Sequence, residues 1–332
     1  QRYASNGTKT GGLVRINDYA DSASPPPAPN SGSSPSITAL ADGGYVVAWQ
    51  SVHGSSDNSY DIYALHIANT GRPAGAEFRV NTTIANTQSD PAITALTNGD
   101  FVVVWSSYGQ DGDGFGIYAQ RYDSNGSRIG GEVRANSYAI GEQSVPAVAG
   151  LADGGYVIRW NSWGQDGAGS GIYAQRYAGN GSTVGGEFRV NSYTSDSQWG
   201  SQQSIAALAD GGYVVTWESH GQDGSGNGIY AQRYARDGGT VGGEFRVNST
   251  TSGDQWSPAL TTLAADAGYV VAWTADAFDG TWDINAQRYG SSGSPVGDEF
   301  RVNSTTAGNQ TSPDVAVLTN GNYLISWDST QT

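Results

Sequence analysis

Residues 91–122 read PAITALTNGDFVVVWSSYGQDGDGFGIYAQRY, and the fold turns on this stretch. An apolar run, PAITAL, meets Asn98-Gly99. A second run then climbs to Trp105, a Gly-rich loop follows, and GIYAQRY closes at Tyr122. The runs are short, rich in β-branched and aromatic residues, and carry no helical period, so they read as strands. Asn-Gly between two such runs suits a two-residue type I′ hairpin, in which both central residues take positive φ.

Outward from Trp105 the pattern recurs. The segment FVVVWSS returns as YVVAWQS (Trp49), YVIRWNS (Trp160), YVVTWES (Trp217), YVVAWTA (Trp273) and YLISWDS (Trp327), at spacings of 54 to 57 residues. Each copy adds a fourth run of the type GGEFRVN, as at 185–191. Four strands per copy and six copies predict an all-β protein, a six-bladed β-propeller with four antiparallel strands per blade. One blade cannot bury both faces, and radial stacking of neighbours solves that. The first run of each copy is rich in Ala, Ser and Thr, as suits the strand nearest a crowded axis. A linear solenoid would need distinctive capping repeats.

The chain begins and ends within a unit, so residues 1–332 are expected to form one domain. Its ring would be closed by N-terminal and C-terminal strands sharing one blade, built from 1–17 plus 312–332. The usual GIYA before Gln1-Arg2-Tyr3 has no counterpart at either end. That implies either a short third strand or a chain lacking some residues. Residues 18–35 hold the run SPPPAPNSGSSP (24–35) and are expected to form a surface insertion loop.

Composition narrows the function. There are 31 Asp plus Glu against 16 Lys plus Arg, a formal charge of -15, which argues against nucleic acid and against an anionic membrane surface. No apolar run approaches the roughly 18 residues of a membrane span, so membrane insertion is not expected. Cysteine is absent, which removes disulfides, thiolate metal sites and Cys nucleophiles. Gly, at 48 residues, is about twice its ordinary usage of ~7%, in keeping with a turn-rich β protein.

The combination GGEFRVN, PAITAL, FVVVWSS and QDGDGFGIYAQRY resembles the repeats of large secreted bacterial proteins of the RTX and adhesin type, which carry calcium-binding modules elsewhere in their chains. That resemblance covers essentially the whole sequence. It implies secretion and an extracellular or cell-surface role, and it implies no particular activity. The tandem GGxGxDxUx nonapeptides of true RTX stacks are absent.

Propeller topology sorts the loops. Tight first-to-second and third-to-fourth turns share one face. The longer second-to-third and fourth-to-first loops share the other, where function is expected. On that face the topology places Tyr108, Trp163 and His220, three residues after their core tryptophans, and the non-repeated Trp199, Trp256 and Trp282. Solvent-facing aromatics of this kind suit stacking on sugar rings, with packing on a neighbouring blade as the plain alternative. The Gly-rich loops bring Asp111 and Asp113, then Asp166, Asp223 and Asp279. Calcium takes several hard oxygens from such loops, whereas Asp capping its own turn is the competing reading. Arginines repeated in the third and fourth runs are expected to serve blade geometry, through backbone carbonyls or the repeated Glu187, Glu244 and Glu299.

No GxSxG, HExxH or P-loop motif occurs, and only His53, His66 and His220 exist. The expectation is therefore a secreted, lectin-like, glycan-binding adhesion module without enzymatic activity, with calcium as its only candidate cofactor. A carbohydrate-active enzyme (glycosidase or lyase) and a purely structural module remain the alternatives, because two scattered carboxylates suffice for glycoside hydrolysis.

Overall fold

The computed structural model describes residues 2–3, 8–14, 16, 32–52, 59–263, 267–318 and 320–330. It is a six-bladed β-propeller. Blade 2 sets the pattern: Gln88–Ala95, Phe101–Tyr108, Phe115–Tyr122 and Arg128–Arg134 pair antiparallel in chain order. Blade 3 repeats it with Gln143–Gly150, Tyr156–Trp163, Ser170–Tyr177 and Thr183–Arg189. Blade 1 (Gly32–Ala39, Tyr45–Ser51, Asp61–Ile67, Phe78–Arg79) and blade 5 (Gln255–Thr262, Tyr269–Asp276, Trp282–Tyr289, Phe300–Arg301) have two-residue outer strands.

The cores lie between blades. Trp105, Trp160, Trp217 and Trp273 are fully buried, each facing the preceding blade. Beside them cross-strand aromatic pairs stack face to face, Tyr156 on Tyr177 at 4.8 Å and Tyr213 on Tyr234 at 4.7 Å. The other face of each second strand packs on the next blade, so these strands are apolar on both faces rather than alternating.

The sixth blade contributes the hairpin Gln310–Val317 and Tyr323–Ser329. At the other end of the chain, Val14 and Ile16 pack on blade 1 beside Val47, Trp49 and Tyr63. In the next seam Phe78 and Val80 hold the matching place against Trp105. The N-terminal run thus stands where a closing outer strand belongs. Among the described residues, Arg2–Tyr3 pairs with Lys9–Thr10, and no ladder joins either to Tyr323–Ser329. Residues 18–31 of the expected insertion loop lie outside the described residues; 32–35 begin the inner strand of blade 1.

Two local expectations are corrected, the turn type and the pairing of repeated arginines with repeated glutamates. Arg246 Nε does donate to a backbone carbonyl, that of Asn248, at 2.9 Å. The Asp-Gly turns are three-residue loops: Gly43 N donates to Leu40 O at 3.1 Å, Leu40 N to Gly44 O at 2.9 Å, and only the glycine takes positive φ (+82°). Asp42 keeps negative φ because its carboxylate caps Gly44 N at 2.8 Å, a role it could not fill as the first residue of a type I′ pair. The repeated glutamates meet amide and hydroxyl donors rather than arginines. Glu187, for example, accepts from Gln165 Nε2 and, across the seam, from Ser137 N and Oγ. The third-strand arginines instead pair with the turn aspartates, Arg176 with Asp153 at 2.6 Å and Arg233 with Asp210 at 2.5 Å.

Candidate functional site

Each inner strand bulges near its start, on the side of the long loops. The register slips between Ser89 and Ala92, Ser144 and Ala147, and Trp256 and Ala259. At the slip Asp90, Val145, Ser257 and Ser312 hold φ between +51° and +55°. A β-branched residue such as Val145 pays for that conformation in strain, and strained backbone of this kind gathers at functional sites.

The bulges are clasped from the preceding blade. At four seams the residue just after the core tryptophan accepts the N–H of the next blade's bulge: Gln50 from Asp90 (2.9 Å), Asn161 from Gly200 (2.9 Å), Glu218 from Ser257 (3.3 Å) and Thr274 from Ser312 (3.2 Å). Ser106, after Trp105, makes no such bond. A neutral acceptor suffices for that job, and three of the four are neutral. Glu218 is the exception. Burial, with a smaller push from the charge of Asp254, raises its carboxyl to about 7 against the opposing Ser257 hydrogen bond. Asp254 itself accepts Asn227 N–H at 2.8 Å. Asp90 is also pushed above its ordinary value, mainly by burial.

Blade 4 departs from the pattern. Its inner strand is split into Gln198–Trp199 and Ile205–Ala207, and the two extra residues of the 57-residue spacing between Trp160 and Trp217 fall between them. The excursion bridges the axis. Gln202 Nε2 donates to Pro91 O of blade 2 at 3.3 Å, Ser201 Oγ to Pro258 O of blade 5 at 2.5 Å, and Leu260 N to Gln203 O at 3.0 Å. A Cβ at Gly200 would meet the Arg159 guanidinium at 2.6 Å, so any larger residue would have to displace that side chain. Arg159 is fully buried. Its Nη1 donates to Val145 O and Asn161 Oδ1, Nε and Nη2 have no hydrogen-bond partner, and desolvation pulls the group down to about 9.

The aromatic residues singled out by topology fall into pairs beside this ring. Trp163 and Trp199 meet across the seam of blades 3 and 4, centroids 6.4 Å apart, and are 53% and 37% exposed. Trp256 and Trp282 meet edge to face at 5.5 Å on blade 5 and are half-buried. Trp199 is the register partner of Glu218, and Trp256 directly precedes Ser257. The two pairs therefore stand on either side of Glu218 around the ring. Tyr108, exposed, meets only Phe115 of its own blade among ring contacts of the described residues. His220 lies beside the site, with Nδ1 2.9 Å from Asp196, whose carboxyl that bond holds below its ordinary value.

The loop aspartates are not brought together. Asp111, Asp166, Asp223 and Asp279 belong to different blades, and no three His, Cys, Asp or Glu side chains gather among the described residues. Asp111 Oδ2 accepts Asn136 Nδ2 at 2.9 Å, and Asp166 accepts Asn191 at 3.3 Å. Asp113 accepts Gly141 N at 3.0 Å, Asp223 accepts Ser225 N at 3.2 Å, and Asp279 caps Thr281 N at 3.0 Å. Asn136 in turn accepts Ile117 N and donates to Gln143 Oε1, so Asp111 completes a network that pins the loop to the outer strand. Asp111 Oδ1 and Asp223 Oδ2 are buried without partners, one in each of two blades. A calcium cage of six to eight oxygens would need the loop carbonyls as well. His53 and Asp57 of the first copy lie outside the described residues. No described helix is long and apolar enough to cross a membrane.

No protein-family model matches the sequence, and no curated protein matches it. Solved structures match the ring. The GH93 α-L-arabinofuranosidase of Fusarium graminearum, in complex with arabinobiose, aligns over 90% of this chain and 88% of its own at TM-score 0.59 and 11% identity. An α-L-arabinanase of Penicillium chrysogenum does so over 90% and 93% at 0.56 and 14%. The NanB sialidase of Streptococcus pneumoniae aligns over 96% and 67% at 0.60 and 8%. Such identities establish a shared fold.

They also correct the expectation of a chain without enzymatic activity. That expectation rested on missing short motifs, yet these three rings are named as enzymes. A propeller collects its reacting groups from separate blades, so no contiguous motif need mark them. Glu218, Asp254, Arg159 and Gln202 belong to no short motif and were not singled out from the sequence. The available signals were a carboxylate after the core tryptophan, a type shared only with Asp328, an arginine where other copies have Ala48, Val104, Thr216, Ala272 or Ser326, and an inner run, Gln198 to Leu208, two residues longer than Gln143 to Leu151.

Proposed function

We propose that the chain is a carbohydrate-active enzyme, a glycoside hydrolase whose reacting centre lies at the axial mouth on the long-loop face. Glu218 carries this reading: it is a carboxyl group poised near 7 at a position where the fold needs only a neutral acceptor. A group near neutral pKa is protonated often enough to act as general acid and ionised readily once it has given its proton.

In this mechanism the protonated carboxyl of Glu218 gives its proton to the glycosidic oxygen as the anomeric C–O bond breaks. Water supplies the new anomeric hydroxyl, and its other proton passes to Asp254, the second carboxylate of the site. Trp199 and Trp256 offer apolar faces for the C–H sides of sugar rings. The strained bulges and the bridge through Gln202 hold these groups on rigid strands. The likeness to arabinan-degrading and sialic-acid-releasing propellers supports the reaction class. The repeat resemblance supports export from the cell, where such polymers occur.

Release of reducing ends from a panel of soluble polysaccharides tests the proposal. Wild-type protein should cut at least one polymer, and Glu218→Gln, which keeps an acceptor for Ser257 N, should lower turnover by a factor of about 100 or more. Wild-type turnover by a folded Glu218→Gln variant would overturn the assignment.

A further inference from the structure

We infer that this site acts within the chain of a neutral polysaccharide, binding sugar units on both sides of the bond to be cut. The inference rests on the hydrolase reading above and concerns the form and charge of the substrate.

The order of groups around the ring carries the argument. Trp163 with Trp199 occupies the seam of blades 3 and 4, Glu218 faces the seam of blades 4 and 5, and Trp256 with Trp282 stands on blade 5. An enzyme that trims single residues from a chain end needs recognition on one side of its acid, with the other side closed. Here an aromatic pair stands on each side. Trp163 is more than half exposed, so the first platform is open to a continuing chain rather than walled in. The bridge from Gln202 to Pro91 O spans the axis. A polymer therefore lies across the face and does not thread along the channel.

Charge selects the class of polymer. The ionisable groups near the platforms are mostly acidic: Glu218 is the register partner of Trp199 and Asp276 of Trp282, Asp254 lies within reach of Glu218's charge, and Asp196 is paired with His220. Arg159, in the same ring of bulges, has no exposed surface with which to meet a sugar carboxylate or sulfate. Among the described residues a uronate- or sulfate-bearing chain would meet mostly like charge, with the one basic group there, His220, already held by Asp196, whereas hydroxyl groups would find carboxylate acceptors.

The test uses the intact chain on soluble neutral polymers (arabinan, galactan, xylan, mannan and mixed-linkage glucan), with polygalacturonate and a sulfated galactan as anionic counterparts. Products are separated by size. The expected result is early release of oligosaccharides of mixed length from a neutral polymer, with viscosity falling faster than reducing ends accumulate. Trp163→Ala and Trp256→Ala should each raise KM about 10-fold, one stacked ring being worth about 1.4 kcal/mol. Single sugars released from chain ends, or preference for an anionic polymer, would overturn the inference while leaving the hydrolase reading intact. Absence of cleavage in every polymer would sink both. If one tryptophan variant melts early, direct binding of oligosaccharides to Glu218→Gln, mapped by protection of tryptophan fluorescence, decides instead. Ligand reaching both platforms supports the inference, and ligand reaching only one contradicts it.

Discussion

Glu218 of blade 4 accepts the backbone N–H of Ser257 of blade 5 at 3.3 Å. The contact repeats one made by Gln50, Asn161 and Thr274 at other seams, so it belongs to the fold. The carboxylate does not. A residue that ties two blades together has been given a group whose protonation the same burial controls, and stability and chemistry meet in one side chain.

That coupling has a sign. The folded carboxyl titrates near 7 and the unfolded one near 4.5, because burial disfavours the charge. Between those values the folded chain binds more protons than the unfolded one. Stability from this group is full below about pH 4.5 and is lost as pH rises through about 7. Glu218→Gln should abolish that slope and make the protein more stable at pH 8, by about 3 kcal/mol at most. Urea denaturation at pH 5 and pH 8 measures it. Equal pH slopes for the two proteins would show that Glu218 is not the titrating group.

The loops around Asp111 should behave as structure. Asp111→Ala removes one of three acceptors of Asn136 Nδ2, leaving Tyr138 O and Gln143 Oε1, and should cost about 1 kcal/mol, the net worth of one hydrogen bond. Because the carboxylate already serves Asn136, melting of the wild-type protein is expected to be the same in EDTA and in millimolar calcium. A calcium-dependent rise in Tm that Asp111→Ala removes would instead assign a bound ion to this loop.

Arg159 is a buried cation with two nitrogens lacking partners. Such a charge costs stability unless fully paired, and replacing it with an apolar side chain of similar length relieves that cost. Arg159→Met should therefore raise Tm, with a gain of about 1 kcal/mol or more. If Arg159→Met instead melts well below wild type, its bonds to Val145 O and Asn161 outweigh the desolvation.

The ring was legible because its causes are local and repeated: the strand-forming runs, the glycine after the turn Asp or Asn in five of the six copies, and a tryptophan every 54 to 57 residues. The turn type was not, because Asp42 decides it through a side-chain cap rather than through its φ. The aromatics of the loop face were found as individuals. Their pairing across seams, as between Trp163 and Trp199, depends on which strand faces which. Glu218 stayed hidden because the position after the core tryptophan varies freely among Gln50, Ser106, Asn161, Thr274 and Asp328. Only the clasp shows why Gln50, Asn161, Glu218 and Thr274 are polar, and only burial shows why the carboxyl of Glu218 is pushed up.

The central claim is that Glu218 is the general acid of a glycoside hydrolase. The pH dependence of kcat/KM for wild type and Glu218→Gln on the same cleaved polymer tests it most directly. The wild-type rate should fall above about pH 7 as the carboxyl loses its proton, and the Glu218→Gln rate should be lower by a factor of about 100 or more with that alkaline limb gone. A Glu218→Gln protein that keeps both the wild-type rate and its alkaline limb would contradict it.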